Sequence, residues 1–183
     1  MPRSKKTQVS LDATPYYHCS SRCIRRAFLC GKDAVTGQLF AHRRQWIEDK
    51  LIDLATVFAI DSCAYAVMHN HYHVVLFIDK STADNWDSLE VVERWHLLFS
   101  GTLYSQRFSK GELLTAAEQA NLNASVVFRR QRLMDVNWFI RIINDGIARM
   151  ANTEDDCTGR FWEVRFFSQH CLFKMHQQFV LLI

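Results

Sequence analysis

The 183-residue sequence has no Cys-x-x-Cys pair, no apolar run of membrane-spanning length and little excess charge. Each absence narrows the reading. Six cysteines (Cys19, Cys23, Cys30, Cys63, Cys157 and Cys171) with no close pairing and no secretory signal before them read as reduced thiols of a cytoplasmic protein. Without a span of about 20 apolar residues the chain is expected to be soluble, with no membrane partner. A net charge of +3 permits an acidic partner but does not by itself indicate nucleic acid. What is present is apolar: 49% hydrophobic and 13% aromatic residues, enough to pack one domain of this length around a real core.

The most informative stretch runs from Ala64 to Ile78, which reads as two strands joined by a tight turn at Met68-His69-Asn70. Alternate residues of a strand share a face, so His71 and His73 point one way, while Tyr72, Val74, Leu76 and Ile78 form the buried face. Two strand rises separate the histidine Cα atoms by about 6.7 Å, close enough for both imidazoles to lean onto one metal ion. The same spacing also suits two ordinary histidines on a half-exposed strand. His69 lies about 13 Å from His73 along an extended chain and reads as a turn residue.

Residues 1–15 are polar and basic and read as an N-terminal arm, free or laid on phosphates. Residues 16–183 then form one domain. Tyr16 to Phe28 reads as the first strand, with His18, Ser20, Arg22 and Ile24 on one face and Tyr17, Cys19, Ser21 and Cys23 on the other. Arg22, Arg25 and Arg26 gather at its far end, where guanidinium forks suit phosphate oxygens. Gly31 to Gly37 is a loop. Gln38 to Ile60 carries apolar residues at helical spacing and is expected to pack on the back of the sheet. Ser81 to Asp87 reads as a polar linker, and Asp87 or Ser88 caps a helix reaching about Phe99, stopped by Gly101. Trp95 and His96 read as packing residues. Leu103 to Phe128 shows no clear period and reads as short helices and loop, within an insertion over about 100–134. Asp135 caps a further helix built on Val136, Phe139, Ile140, Ile143, Ile147 and Met150. Asn152 to Thr158 is a polar connection, and Arg160 to Ser168 reads as the last strand, contributing Arg160 and Arg165. This order suits an α+β, ferredoxin-like (split βαβ) antiparallel sheet with helices on one face and an open face for a ligand. The first and third strands would then be central neighbours, bringing Arg22 to the His71/His73 pair.

The apolar strand, the Met-x-Asn-His turn and the His-hydrophobic-His that follows resemble the HUH single-tyrosine transposases, and most of all the REP-associated tyrosine transposases. Three further stretches fit: Tyr16-Tyr17-His18 leading to Ser21-Arg22-x-x-Arg25-Arg26-Ala27-Phe28-Leu29; Arg94-Trp95-His96 with Leu98-Phe99-x-Gly101; and Gly159-Arg160-Phe161-Trp162-Glu163-x-Arg165-Phe166-x-Ser168-Gln169. Together they cover roughly Tyr16 to Gln169, and only their combination is specific. The resemblance implies a protein that binds single-stranded or hairpin DNA, with His71 and His73 holding a divalent ion, Mg²⁺ or Mn²⁺, that polarises the scissile phosphate. Arg22, Arg25, Arg26, Arg160 and Arg165 are the candidate phosphate contacts, and a second copy of the chain is a candidate partner. It also implies a nucleophilic tyrosine on a helix after the last strand, one turn before a polar metal ligand.

There the sequence departs from the pattern. The family's Tyr-x-x-x-Asn-Pro after Ser-Gln is missing, and no tyrosine follows Tyr104. Residues 170–183 read as an aberrant, truncated or frameshifted end, with no nucleophile identified and cleavage expected to be lost. The alternative is a non-catalytic nucleic-acid-binding module on a ferredoxin-like sheet, in which the histidines are incidental. A third class is a metallohydrolase using His71, His73 and Glu163, although Glu163 fits better as an ion-pair partner of Arg22 or Arg165.

Overall fold

The computed structural model describes residues 14–24, 29–33, 36–163 and 167–170. Four strands, β1 (Tyr16–Arg22), β2 (Ile60–Val67), β3 (His71–Ile78) and β4 (Phe167–His170), form one sheet in the order β2-β3-β1-β4. Every neighbouring pair is antiparallel. Since β1 and β2 each run against β3, they are parallel to one another with β3 inserted between them. This is the split βαβ arrangement of a ferredoxin-like sheet, and β1 and β3 are its central pair.

Alternation divides the sheet cleanly. Tyr17 and Cys19 on β1, and Tyr72, Val74, Leu76 and Ile78 on β3, are buried. They face α1 (Arg43–Val57), which buries Ile47, Leu51 and Leu54, and α6 (Val136–Glu154), which buries Phe139, Ile140, Ile143 and Ile147. Each such side chain stabilises the fold by about 1.5–3 kcal/mol when fully withdrawn from water. A chain of polar side chains on this side is hydrogen-bonded. Tyr72 Oη donates to Asn144 Oδ1 (2.9 Å), Asn144 Nδ2 donates to Ser21 Oγ (2.9 Å), and Trp162 Nε1 donates to the Asn144 carbonyl (2.8 Å). Asn144 thus ties α6 to both central strands. At the other end of α6, the fully buried Arg43 donates to Glu154 (2.7 Å), pairs with Asp155 and lies 4.2 Å from the Phe40 ring centre.

Between β3 and α6 lie α2 (Lys80–Asn85), α3 (Ser88–His96), α4 (Leu103–Ser109) and α5 (Ala116–Arg132). Their starts are set by side-chain caps: Asp79 accepts from Thr82, Asp87 from Glu90, and Thr102 and Thr115 form capping boxes with Ser105 and Glu118. The expected linker over Ser81–Asp87 is therefore largely helical, because Asp79 satisfies the first free N–H groups. The stretch expected as short helices and loop holds a 17-residue helix, α5.

Several boundaries also differ. The helix expected from Gln38 to Ile60 begins at Arg43 and ends at Val57, because Phe58 is extended and Ile60 already pairs with Ile78. α3 ends at His96, short of Phe99, and α6 runs on to Glu154 through the expected connection. Met150 is exposed rather than in the apolar stripe. Among the described residues β1 ends at Arg22, and β4 begins at Phe167 rather than Arg160. Phe161 and Trp162 are both buried, which strict alternation forbids; among the described residues an isolated bridge, Cys23 to Trp162, joins this segment to the end of β1. No described helix is long and apolar enough to cross a membrane.

Candidate metal and nucleic-acid site

The face of the sheet turned away from α1 and α6 carries Tyr16, His18, Ser20 and Arg22 from β1, and His71, His73, Val75 and Phe77 from β3, by alternation and register. Arg22 stands directly opposite His71. The turn between β2 and β3 is closed by Met68 N–H donating to the His71 carbonyl (2.8 Å), and Cys23 N–H donates to the Asn70 carbonyl (2.7 Å). These bonds fix the start of β3 against the end of β1, so the histidines sit on rigid strand ends rather than on a loop.

The His71 and His73 rings have centres 5.1 Å apart and planes at 82°. Two imidazoles bound to one ion through nitrogens at about 2.0–2.1 Å hold their ring centres at about this separation. His71 Nδ1 lies 2.8 Å from Asn70 Oδ1. An amide oxygen only accepts, so the His71 proton is on Nδ1 and Nε2 carries the lone pair. His73 Nδ1 lies 2.8 Å from Nε2 of His18. Burial, more than the neighbouring His73, lowers the pKa of His18; burial, then His73 and Arg22, lowers that of His71. Both shifts favour the neutral imidazole, the form that ligates a metal.

The donor set thus fits a divalent ion at His71 and His73. Among the described residues no three His, Cys, Asp or Glu side chains converge as a metal-binding group. An ion held by this pair would keep further positions for phosphate or water oxygens, as catalytic sites do and structural ones do not.

Arg22 is well exposed and only loosely paired, with Nε 3.9 Å from Glu163 Oε1. Arg22 is one of the two partners the sequence offered for Glu163, whose backbone N–H donates to the Arg22 carbonyl (2.9 Å). Arg160 is exposed along a groove of about 850 Å³ that also holds Trp138 and Arg141 and reaches Glu163. Arg25, Arg26 and Arg165 lie outside the described residues, as does the basic arm over residues 1–13. The open face adds an aromatic row: the Tyr16 and Phe77 rings are 5.1 Å apart, and Phe167, opposite Ser20 on β4, is 55% exposed.

Two polar residues of this site, His18 and Asn70, carry no role in the sequence reading. Alternation does place His18 on the Arg22 face. Its reach to His73 depends on the register, in which His18 opposes Val75 and meets His73 diagonally.

No protein-family model matches the chain, and no curated protein matches it significantly. Among solved structures it is similar to a REP-associated tyrosine transposase bound to a REP hairpin, at 10% sequence identity and a TM-score of 0.46. That match covers 92% of this chain and 61% of the other, so this chain spans less than two thirds of that protein's length.

Proposed function

We propose that this chain is a transposase-family protein that binds single-stranded hairpin DNA around a divalent ion held by His71 and His73. The observation that carries the reading is the open-face pairing. Two imidazoles, each engaged at Nδ1, stand side by side on β3, directly across from the exposed guanidinium of Arg22. A bound Mn²⁺ or Mg²⁺ would polarise a phosphate oxygen there. Arg22 would hold the same phosphate through its planar fork, with Arg160 taking backbone further along and Arg25, Arg26 and Arg165 adding charge. The half-buried rings of Tyr16 and Phe77 and the exposed ring of Phe167 offer stacking surfaces to unpaired bases.

We further propose that this chain binds without cutting. None of its five tyrosines belongs to a Tyr-x-x-x-Asn-Pro motif. Tyr17 and Tyr72 are fully buried on the opposite face of the sheet.

The test is binding of a hairpin oligonucleotide with single-stranded flanks, followed by anisotropy at several salt concentrations, with and without Mn²⁺. The expected result is salt-sensitive binding that Mn²⁺ strengthens, with no covalent adduct on a denaturing gel. A protein–DNA adduct would overturn the claim that cutting is lost. Unchanged ion and DNA binding in the His71→Ala, His73→Ala double variant would favour the non-catalytic binding module instead. Absence of DNA binding under all conditions rejects both.

A further inference from the structure

The geometry points to His18 as the positioning residue of His73: its Nε2 accepts the Nδ1 proton of His73 and so keeps His73 Nε2 bare for the ion. The ion, and with it the choice between the two proton arrangements of this bond, rests on the proposed function; the His18–His73 contact itself does not.

The contact is built for this. The two nitrogens are 2.8 Å apart, the ring centres 4.9 Å apart and the ring planes within 11° of each other. Ring centres this far apart with nitrogens this close mean that the rings meet edge to edge, nearly coplanar. The N–H of one then points along the lone pair of the other, as a strong hydrogen bond requires. Ser20, which directly opposes His73 in the register, makes no such bond to it, and His18 reaches across the diagonal instead.

A neutral imidazole pair of this kind has two arrangements. In the first, His73 Nδ1–H donates to His18 Nε2, and His73 Nε2 has a free lone pair. In the second, His18 Nε2–H donates to His73 Nδ1, which moves the His73 proton to Nε2 and blocks ligation there. Only the first is compatible with an ion shared with His71. The two ligands are thus held differently. The amide oxygen of Asn70 can only accept, so it fixes the His71 tautomer outright. The partner of His73 is itself an imidazole, so His73 is held in the ligating form by a bond that ion binding must select. A metal-bound histidine commonly donates its other N–H to such an outer partner, and loss of that partner costs about 10–100-fold in affinity.

The test compares the parent chain with His18→Phe, which keeps a planar ring without an acceptor, and His18→Gln, which restores one. Mn²⁺ affinity is read by titration calorimetry, the fold by circular dichroism, and the His73 tautomer by long-range ¹H–¹⁵N spectra, without metal and with Zn²⁺ as a diamagnetic probe. His18→Phe is expected to bind Mn²⁺ about 10–100-fold more weakly, and His18→Gln to keep the affinity of the parent. Equal affinity in His18→Phe and the parent overturns the role, as does Zn²⁺ ligation through His73 Nδ1 in the parent. That second reading needs no variant, so it decides the matter even where His18→Phe does not fold. If the parent takes up no metal at all, the ion reading fails, and the metal-free spectra still judge His18: a His73 tautomer unchanged in both variants overturns the assignment.

Discussion

His71 on the open face and His96 at the end of α3 sit in environments that push the imidazole pKa the same way, and comparing them separates a candidate site from a packing residue. Both are partly buried, and in both the pKa is pushed down first by burial and then by neighbouring charge, with an arginine contributing in each case (Arg22 and Arg129). Their free nitrogens differ. His71 is engaged at Nδ1 and offers Nε2 on an open sheet face. His96 uses Nε2 itself, 3.0 Å from Ser105 Oγ, in a sealed cluster where Ser105 is fully buried and Arg129 is 4% exposed. Arg129 lies 5.7 Å from the Trp95 ring centre, reaches Ser105 Oγ through Nη2 and leaves Nη1 without a hydrogen-bond partner. A lowered histidine pKa therefore reports burial in both places. Access and an unused lone pair are what give one of them a possible chemistry.

The sharpest way to break the comparison is to enter the sealed cluster. Gly101 has φ +71°, and a Cβ there would come within 2.3 Å of His96 Nε2 and 2.7 Å of Ser105 Oγ. Gly101→Ala combines backbone strain with overpacking and is expected to cost about 2–4 kcal/mol, measured by urea unfolding. Mn²⁺ binding by the folded fraction should be unaffected, because the open face is built on β1 and β3. A variant that keeps full stability would show that the cluster around His96 is loosely packed, and the contrast with His71 would disappear.

A smaller effect comes from acid. The folded pKa of His96 lies below its ordinary value of 6.5, through burial and then Arg129, with Glu93 opposing. As pH falls through 6.5, the unfolded chain takes up a proton that the folded chain refuses. The stability present above pH 6.5 is thus lost as pH falls towards the lower folded pKa. His18 and His71 shift in the same direction and contribute with the same sign. His96→Gln should flatten the decline of the unfolding midpoint below pH 6.5 without abolishing it. An identical decline in the variant would mean that His96 titrates as it does in the unfolded chain.

How much of this was legible in the sequence follows from the same physics. β3 could be read residue by residue, because a strand buried on one face alternates strictly, and Tyr72, Val74, Leu76 and Ile78 all face the core. The placing of Arg22 against His71 followed from topology once the element order was known. The His18–His73 bond did not, because it depends on a register that fixes diagonal neighbours. α5 stayed hidden because its buried stripe is narrow and one member is Arg129, so an apolar count misses it. Its start was readable in the Thr115-x-x-Glu118 capping box. The segment before β4 defeated alternation because Phe161 and Trp162 are buried together, with the Trp162 indole N–H carried to the Asn144 carbonyl.

The smallest expected effect on stability is at the open face, and it is the most discriminating. His71→Ala removes a half-exposed ring whose hydrogen bond to Asn70 is local, so unfolding free energy should change by no more than about 0.5 kcal/mol. The comparison then turns on the ion. A ligand that binds the folded state alone raises its stability by mass action, so saturating Mn²⁺ should raise the unfolding midpoint of the parent and of His96→Gln, but not that of His71→Ala. Equal midpoint shifts in all three would place the ion elsewhere and remove the distinction between the two histidines. A shift lost only in His71→Ala would mean that a substitution nearly silent for the fold abolishes binding, as expected of a residue whose free nitrogen serves a ligand rather than the core.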